Sequence, residues 1–362
     1  FTLVEVHFTD IDRWLVFIDP LREKAVQTLH NTHSAEADAS GIDLHGQHWD
    51  FTAYEEGGAY YLYNPLLPDG GFTIALDLGQ NRDLSLGQLI TSNRPDGGWD
   101  PAGVSAFVNL QLTHSYFLST FGRNSVDAAG SDLIANVHYG QQVPNAFWTL
   151  GQMWFGDGDN QTFANLAGCL DIVAHEMSHG VIEQTANLIY QNQSGALNES
   201  FADIFGVMVD RGDWLLGEDC YRPAPGFLRS LANPNLGGQP AHMDEFLRLP
   251  THIDNGGVHF NSGIPNRAAY LLAEGLTQEG LGLSIGDEKT EQIFYAALLM
   301  LTRNADFLDA REATVTAAEL LYGDTSPEAE ATALAWNAVG VSTASLATAI
   351  GGTDTIASAA GD

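Results

Sequence analysis

The spacing of hydrophobic residues changes along this chain of 362 residues. Residues 41–166 carry short apolar runs separated by turn residues, which indicates β-strands, with one helical stretch at 101–121. Beyond residue 262, apolar side chains recur three and four positions apart, as in helices that bury one face. The segments with this helical spacing are 268–272, 293–298, 317–321 and 333–339. The pattern predicts an α+β fold, with a β-rich N-terminal lobe and a mainly α-helical C-terminal lobe.

A pair of histidines lies between these two regions, in the segment His175-Glu176-Met177-Ser178-His179. On a helix, residues i and i+4 share one face, so His175 and His179 can bind the same metal ion. Zn²⁺ accepts imidazole nitrogen, and a catalytic zinc site uses three protein ligands and leaves one position for water. Glu176 would stand beside that water and is the predicted general base. This motif alone also fits a surface helix with two solvated histidines.

A second motif supplies the missing third ligand. Leu197, Phe201 and Phe205 are spaced like the buried face of a helix, which places Glu199 and Asp203 together on another face. One carboxylate would bind the metal ion, and the other would hold a ligand imidazole through its second nitrogen. A third ligand on a helix, with a second carboxylate one turn away, is a requirement independent of the histidine pair. The two motifs together therefore favour a zinc site over solvated histidines.

These motifs resemble the thermolysin-like family of secreted zinc metalloendopeptidases, and the resemblance covers residues 41–341. Further matching stretches, in the same order, are Asn145-Ala146-Phe147-Trp148, Gly156-Asp157-Gly158-Asp159, Ile189-Tyr190-Gln191-Asn192, Leu228-Arg229-Ser230 and residues 254–263. The resemblance implies a two-lobed fold with the zinc helix between the β-rich and the helical lobe. It also implies hydrolysis of internal peptide bonds, with one catalytic Zn²⁺ bound by His175, His179 and Glu199.

The resemblance assigns roles to other positions. His259, oriented by Asp254, and Tyr190 match the groups that stabilise the oxyanion of the transition state. Arg229 matches the residue that binds a substrate carbonyl on the leaving-group side.

Further matches concern the surroundings of this centre. Asn198 and Asp203 match partners of the two zinc-binding histidines. Asn145 and Ala146 match an edge strand that binds an extended peptide by strand addition. An apolar pocket for the residue just after the scissile bond is expected at the matching positions Phe163, Leu166, Ile172, Leu216 and Leu228.

The resemblance also implies structural calcium. Asp171, Asp210, Asp213 and Glu218 match a group of carboxylates near the zinc helix, and hard oxygen ligands suit Ca²⁺. The loop between Asp210 and Asp213 is short, and Leu215 stands where a further acidic ligand is expected. We therefore predict one Ca²⁺ in this cluster rather than two.

The two cysteines of the chain flank this expected calcium site. Cys169 precedes Asp171, and Cys220 follows Glu218. If those carboxylates share one ion, the two sulfur atoms lie within disulfide reach, and an oxidising compartment permits a bridge. Two buried free thiols are the alternative.

The chain extends beyond the resemblance at both ends. Residues 1–26 alternate as two strands about a turn at Asp19-Pro20, and residues 30–40 are polar, like the last strands of a family propeptide and the linker where maturation cleavage falls. An ordinary hairpin of the catalytic domain is the alternative. The expected segments are a propeptide-like hairpin and linker (1–36), the β-rich lobe (37–167), the zinc helix with the helical lobe (168–341), and a flexible tail or linker (342–362).

Composition bears on location and partners. The chain has 46 acidic and 14 basic residues, a formal net charge of −32, which disfavours nucleic acid and anionic membranes as partners. The acidic surface fits an environment of high salt, or simply a secreted protein that binds calcium. No segment is long and apolar enough to span a membrane. The resemblance implies a secreted, extracellular enzyme whose partners are peptide or protein substrates and its own propeptide, which would inhibit it.

Two other functions stay open. A related aminopeptidase would carry a Gly-x-Met-x-Asn signature before the zinc helix, but the nearest stretch here, residues 206–210, follows that helix and ends in Asp. A non-catalytic protein on the same fold would have lost Glu176, His259 or a metal ligand, and all are present. The sequence therefore predicts an endopeptidase.

Overall fold

The computed structural model describes residues 2–9, 12–19, 24–30, 35–65, 71–84, 87–275 and 283–342. The tail predicted at 342–362 lies outside this description except for its first residue. The chain divides into two units, the first formed by residues 1–185 and 201–230 and the second by 186–200 and 231–362.

The first three strands, β1 (Thr2–Thr9), β2 (Asp12–Asp19) and β3 (Lys24–His30), form an antiparallel sheet. The hairpin expected about Asp19-Pro20 corresponds to β2 and β3, which pair antiparallel, whereas β1 is a further strand of the same sheet. Strand β4 (Ala35–Ile42) then begins inside the segment expected to be an exposed linker, and pairs along its whole length with β5 (His48–Glu56). Small and acidic residues alternate from Ala35 to Ala39, and Ile42 is the only large apolar residue of β4, so the pattern that usually reveals a strand is weak.

The remaining strands of the first unit form two larger sheets and a short ladder. One sheet has the order β10-β6-β5-β4, and the other has the order β12-β13-β11-β8-β7, with β9 paired to β8. The strands concerned are β6 (Ala59–Tyr61), β7 (Tyr63–Asn64), β8 (Thr73–Asp77), β9 (Gln88–Leu89), β10 (Thr91–Ser92), β11 (Leu133–Val137), β12 (Ala146–Thr149) and β13 (Gln152–Phe155). A two-stranded ladder pairs β14 (Leu215–Leu216) with β15 (Arg229–Ser230).

Helix α1 (Pro101–Phe121) packs against strands β8 and β11. Its start follows from Asp100, whose carboxylate accepts the Gly103 N–H, and from Pro101 in the first turn. Gly103 allows close packing, because a Cβ there would lie 2.5 Å from the Ile90 side chain. Phe107 and Phe117 of this helix are fully buried.

Two helices carry the motifs of the predicted zinc site. They are α2 (Leu170–Glu183), which packs against α1, and α3 (Asn192–Val209). Cys169, the residue before α2, forms a disulfide with Cys220, with a Cα–Cα distance of 6.1 Å. The predicted bridge is therefore confirmed.

The second unit is helical, as its hydrophobic spacing predicts. Its helices are α4 (Asp254–Asn261), α5 (Gly263–Glu274), α6 (Asp287–Leu298), α7 (Phe307–Tyr322) and α8 (Pro327–Ala338). The starts of the last two are set locally, because Asp306 and Asp309 form a capping box before α7 and Ser326 caps α8. The α+β prediction is confirmed. None of the helices in the described ranges is long and apolar enough to cross a membrane.

Candidate metal centre

Helix α2 carries the histidine pair on one face. The Nε2 atoms of His175 and His179 lie 3.0 Å apart. Two nitrogen ligands on a tetrahedral Zn²⁺ lie about 3.3 Å apart, so the two rings already point at one position. His175 and the neighbouring Glu176 are buried, whereas His179 is half-buried. The helix thus presents two metal-binding nitrogens and an adjacent carboxylate, as its sequence predicts.

Helix α3 carries the candidate for the third ligand, Glu199. One ligand atom from each of His175, His179 and Glu199 can be chosen so that all lie within 4.8 Å of one another, and this is the one such group in the described part of the chain. Glu199 is fully buried. Two imidazoles and one buried carboxylate are the donor set of a catalytic zinc site, so the residues fit Zn²⁺.

Asp203, one turn further along α3, supports the first histidine. Its Oδ1 lies 2.9 Å from Nδ1 of His175 and 3.0 Å from Nη2 of Arg229. Since the other ring nitrogen of His175 faces His179, the carboxylate fixes both the orientation of the ring and the nitrogen that remains for metal. Arg229, expected only to contact substrate, therefore also neutralises this fully buried carboxylate.

Tyr190, His259 and Asp254 form a chain of contacts that ends at Glu199. The Tyr190 hydroxyl donates to Oε1 of Glu199 and lies 3.1 Å from Nε2 of His259. Nδ1 of His259 lies 2.5 Å from Oδ1 of Asp254, whose other oxygen accepts the His259 N–H. The His259 side chain is 48% exposed and Tyr190 is 39% exposed, so both remain accessible to a ligand.

The backbone before His259 explains how Asp254 reaches it. Asp254, Asn255, Gly256 and Gly257 all have positive φ, between 47° and 90°, a conformation that asparagine and glycine tolerate best. This turn folds the Asp254 carboxylate back onto the backbone and ring of His259. A Cβ on Gly256 would lie 2.2 Å from Oδ1 of Asn192, so the position requires glycine.

Two polar contacts near this chain were not foreseen. Gln239 is buried and donates from Nε2 to the His259 carbonyl at 2.6 Å. Asn198, expected to partner a zinc-binding histidine, donates from Nδ2 to the Leu188 carbonyl at 3.2 Å. The sequence around Gln239 carries no motif that predicts its contact, which depends on chain folding over 20 residues.

Strand β12 is the terminal strand of its sheet and contains the predicted peptide-binding residue Ala146. The neighbouring Asn145 carbonyl accepts the Gly156 N–H at 3.0 Å. Trp148 of the same strand donates from Nε1 to Glu183 of α2 at 2.7 Å. The edge strand is thereby fastened to the helix that carries both histidines.

The predicted pocket residues are mostly buried in the first unit. The Leu228 N–H donates to the Leu216 carbonyl at 2.9 Å, and Phe163 forms an isolated antiparallel bridge with Tyr221. Gly217 lies beside two further pocket positions, because a Cβ there would be 3.2 Å from Cβ of Leu228 and 3.8 Å from Cδ1 of Ile172. Leu228 is half-buried, and the residues buried more fully are Phe163, Leu166, Ile172 and Leu216.

A cluster of carboxylates lies at the start of α2. Burial, and then the charge of Glu218, raise the pKa of Asp171 well above its usual range. Burial also raises the pKa of Asp210, with further contributions from Asp219 and Asp213. The pKa of Glu218 rises to about 7, mainly through burial and then through these neighbouring acids. Asp219, absent from the predicted set, thus belongs to the cluster.

This cluster also fits a cation. Oε2 of Glu218 is buried and makes no hydrogen bond to any residue that the structure describes. The Asp171 carboxylate accepts the N–H groups of Ile172 and Gly217. Carboxylate oxygens are the donors that Ca²⁺ prefers, and the buried Glu218 oxygen lacks a donor among the described residues, although no three of these described carboxylates bring oxygens within 4.8 Å of one another.

A third ionisable cluster, centred on His138, has no motif in the sequence that predicts it. His138 lies 2.6 Å from Asp157 through Nδ1 and 3.2 Å from Asp100 through Nε2. Hydrogen bonds to Asp100 and then Asp157 raise the pKa of His138 to about 10. Asp157 also accepts the side-chain amide of Asn165 at 2.8 Å. The raised pKa favours a protonated His138, whose positive charge would balance the two carboxylates.

Comparisons with known proteins agree with this geometry. Residues 38–183 match the sequence model for the thermolysin metallopeptidase catalytic domain, and residues 186–341 match that for its alpha-helical domain. The chain is 42% identical over 345 residues to bacillolysin of Brevibacillus brevis, an alignment covering 93% of this chain and 64% of the relative. It is 45% identical over 313 residues to neutral protease NprE of Bacillus pumilus, covering 85% of this chain and 100% of that protein.

The chain spans 62–64% of the length of the bacillolysins that it matches. Among solved structures, it resembles the precursor of protealysin, a metalloproteinase from Serratia proteamaculans, with a TM-score of 0.64 and 36% identity. That match covers 75% of this chain and 87% of the other. On these similarities, this chain belongs to the thermolysin family of metallopeptidases.

Proposed function

We propose that this chain is a secreted zinc-dependent endopeptidase that hydrolyses internal peptide bonds before an apolar residue. The observation that carries the proposal is the grouping of His175, His179 and Glu199, with Glu176 next to the first of them. Relatives named bacillolysin, neutral protease and extracellular elastase support the same activity.

In this proposal the residues around the metal divide the chemistry. Zn²⁺, when bound, supplies Lewis-acid polarisation of the attacking water and of the scissile carbonyl. Glu176 takes a proton from that water and passes it to the leaving amine nitrogen. Tyr190 and His259 donate hydrogen bonds to the developing oxyanion, and Asp254 holds the His259 ring so that Nε2 is directed at it. Asp203 keeps His175 oriented for metal.

Substrate binding is assigned to the edge strand and the apolar pocket. Asn145 and Ala146 would pair with an extended peptide, as an unpaired strand edge allows. Arg229 would donate to a carbonyl on the leaving-group side. An apolar side chain just after the scissile bond would enter the pocket, which the residues Phe163, Leu166, Ile172, Leu216 and Leu228 would line.

The acidic cluster would hold one structural Ca²⁺, with Asp171, Asp210, Asp213 and Glu218 as ligands. Its support is the buried Glu218 oxygen and the mutual repulsion of the carboxylates. Asn198 would help to position helix α3 through its bond to the Leu188 carbonyl.

Residues 1–36 would be the end of a propeptide that inhibits the enzyme until cleavage, and residues 342–362 a tail or linker. The similarity to a structure described as a precursor of protealysin supports the first assignment. The β-rich lobe (37–167) and the zinc helix with the helical lobe (168–341) would form the peptidase. Secretion is proposed from the extracellular relatives.

The test is hydrolysis of an internally quenched peptide blocked at both ends, with Phe or Leu after the scissile bond. We expect cleavage before the apolar residue, inhibition by 1,10-phenanthroline, and a loss of about 10²- to 10⁴-fold in kcat for Glu176→Gln. Glu312→Gln, on the exposed side of α7, is the matched control and should keep full activity.

Two results would contradict the proposal. One is the absence of cleavage by folded, zinc-loaded protein from which residues 1–36 have been removed. The other is hydrolysis confined to peptides with a free amino terminus, which would indicate an aminopeptidase.

A further inference from the structure

The disulfide lies at the point where the acidic cluster is assembled. Cys169 and Cys220 are both buried and are 51 residues apart in the chain. Asp171 follows the first cysteine by two positions, and Glu218 precedes the second by two. The bridge therefore joins the two chain segments that bring these carboxylates together.

Each end of the bridge belongs to a different local structure. Cys169 is the N-cap residue of α2 and forms no side-chain capping hydrogen bond within the described residues. On the other side, the Cys220 carbonyl accepts the Ala164 N–H at 2.8 Å, and the Cys220 N–H donates to the Gly217 carbonyl at 3.2 Å. The Cys220–Gly217 hydrogen bond thus orders the loop 217–220 internally. The Gly217 N–H also connects this loop to α2, because it donates to Asp171.

The charges of the cluster act against this arrangement. After burial, the charge of Glu218 raises the pKa of Asp171, and the charges of Asp213, Asp210 and Asp219 raise the pKa of Glu218. Without a cation, a loop free to move would swing away from α2, because like charges repel strongly where water is excluded. Binding of a cation would then include the cost of bringing the loop back.

We propose that the Cys169–Cys220 disulfide preorganises the acidic cluster and thereby increases its affinity for Ca²⁺. This inference rests on the calcium site proposed above. The bridge holds Asp171 and Glu218 near each other before the ion binds. The unfavourable free energy of bringing the two carboxylates together is therefore part of folding and does not weaken Ca²⁺ binding. Helix α2 also carries His175 and His179, so the same link fixes the start of the zinc-binding helix.

A different role for the bridge makes a different prediction. A disulfide can stabilise a protein merely by restricting the unfolded chain. In that case its removal lowers stability by the same amount with and without Ca²⁺, and the dissociation constant for Ca²⁺ stays unchanged. Preorganisation instead requires weaker binding without the bridge, so that the stability difference grows with Ca²⁺ concentration.

The test compares the full chain with its Cys169→Ala/Cys220→Ala variant, both carrying Glu176→Gln to prevent self-cleavage and both saturated with zinc. Both proteins are treated with chelator and reloaded with zinc, after which calorimetric titration measures Ca²⁺ binding. Thermal unfolding is then followed over a Ca²⁺ series. We expect the variant to bind Ca²⁺ at least about tenfold more weakly. The difference in Tm between the proteins should widen as Ca²⁺ is added and then become constant.

Two controls separate the bridge from other causes. Cys169→Ser/Cys220→Ala gives α2 a serine N-cap without a bridge, so recovery of Ca²⁺ affinity there would show that helix capping, not cross-linking, matters. Glu218→Gln keeps the bridge and removes a ligand, and should bind Ca²⁺ weakly. If the double variant does not fold, wild-type protein reduced by a phosphine, with thiols counted by labelling, replaces it.

The outcomes are distinct. Equal Ca²⁺ affinity with and without the bridge overturns the inference. A wild-type protein that binds no Ca²⁺ overturns both the calcium site and the inference. Neither result bears on cleavage of the quenched peptide, which tests the endopeptidase activity separately.

Discussion

One helix, α2, serves two clusters of ionisable side chains that satisfy their charges in opposite ways. His175 and His179 meet Glu199, and protein groups orient these ligands, since Asp203 contacts His175 and Tyr190 donates to Glu199. Asp171, one turn earlier, instead faces other carboxylates. The first cluster is arranged without an ion, so zinc would add chemistry. In the second cluster, the carboxylates repel one another unless a cation lies between them, so Ca²⁺ would add stability.

Selective chelation should separate the two clusters most sharply. With 1,10-phenanthroline, we expect the initial rate of peptide hydrolysis to fall at least about 100-fold and to return with Zn²⁺, because Lewis-acid polarisation is lost. With EGTA, the initial rate of hydrolysis at low temperature should persist. The half-life of the enzyme at elevated temperature should shorten, because removal of Ca²⁺ leaves the carboxylates repelling one another. Equal effects of both chelators on the initial rate would contradict this division.

The same substitution in each cluster should sharpen the contrast. Asp203→Asn removes the charge that orients His175 and pairs with Arg229, and should weaken Zn²⁺ binding roughly 10- to 100-fold, measured by competition with a chelator. Asp210→Asn, at the residue that follows α3, should leave the affinity for Zn²⁺ unchanged. It should change the extent to which Ca²⁺ raises Tm. A similar loss of Zn²⁺ affinity in both variants would show that the clusters are not independent.

The two clusters also differ in how far the sequence could predict them. The zinc ligands follow from helical spacing within two short segments, which is a local property. The roles proposed for Tyr190 and His259 came only from the family resemblance. They are 69 residues apart in the chain, so no local pattern predicts their 3.1 Å contact. The link from Asp203 to Arg229 was missed for the same reason.

The fold shows the same limit. Strong apolar periodicity predicted the helices of the second unit. The disulfide was predicted from two carboxylates that the family resemblance led us to expect around one cation. Strand β4 was missed because Ala35–Ile42 contains small and acidic residues, and pairing with β5 rather than local propensity makes it a strand. Similarly, no residue pattern marks Asp219 as a member of the acidic cluster.

The stability of the calcium-free protein should depend on pH, because the carboxylates of the acidic cluster repel one another when they are charged. The pKa of Glu218 is raised from 4.5 to about 7, so between these values the folded protein retains a proton that the unfolded chain has lost. Stability should therefore decrease as pH rises through this window, and Ca²⁺ should abolish the decrease. Glu218→Gln should raise Tm in EGTA at pH 7.5 and lower it in Ca²⁺. A change of the same sign under both conditions would exclude Glu218 as a ligand.

The smallest expected effect comes from the cluster that needs no metal. The pKa of His138 is raised from 6.5 to about 10, so its contribution to stability is complete below about pH 6.5 and is lost as pH rises through about 10. His138→Asn, which tolerates the positive φ of this residue, should lower Tm at pH 7 by on the order of a few °C and flatten the decline toward pH 10.

His48→Asn is the control, because His48 and Asp50 form an exposed pair at 3.9 Å whose contribution water screens. Neither variant should change Ca²⁺ or Zn²⁺ affinity. If His138→Asn left the decline between pH 7 and 10 intact, the histidine would not be the cation that balances Asp100 and Asp157. The comparison with Asp171 would then lose its example of two carboxylates balanced by a protonated side chain.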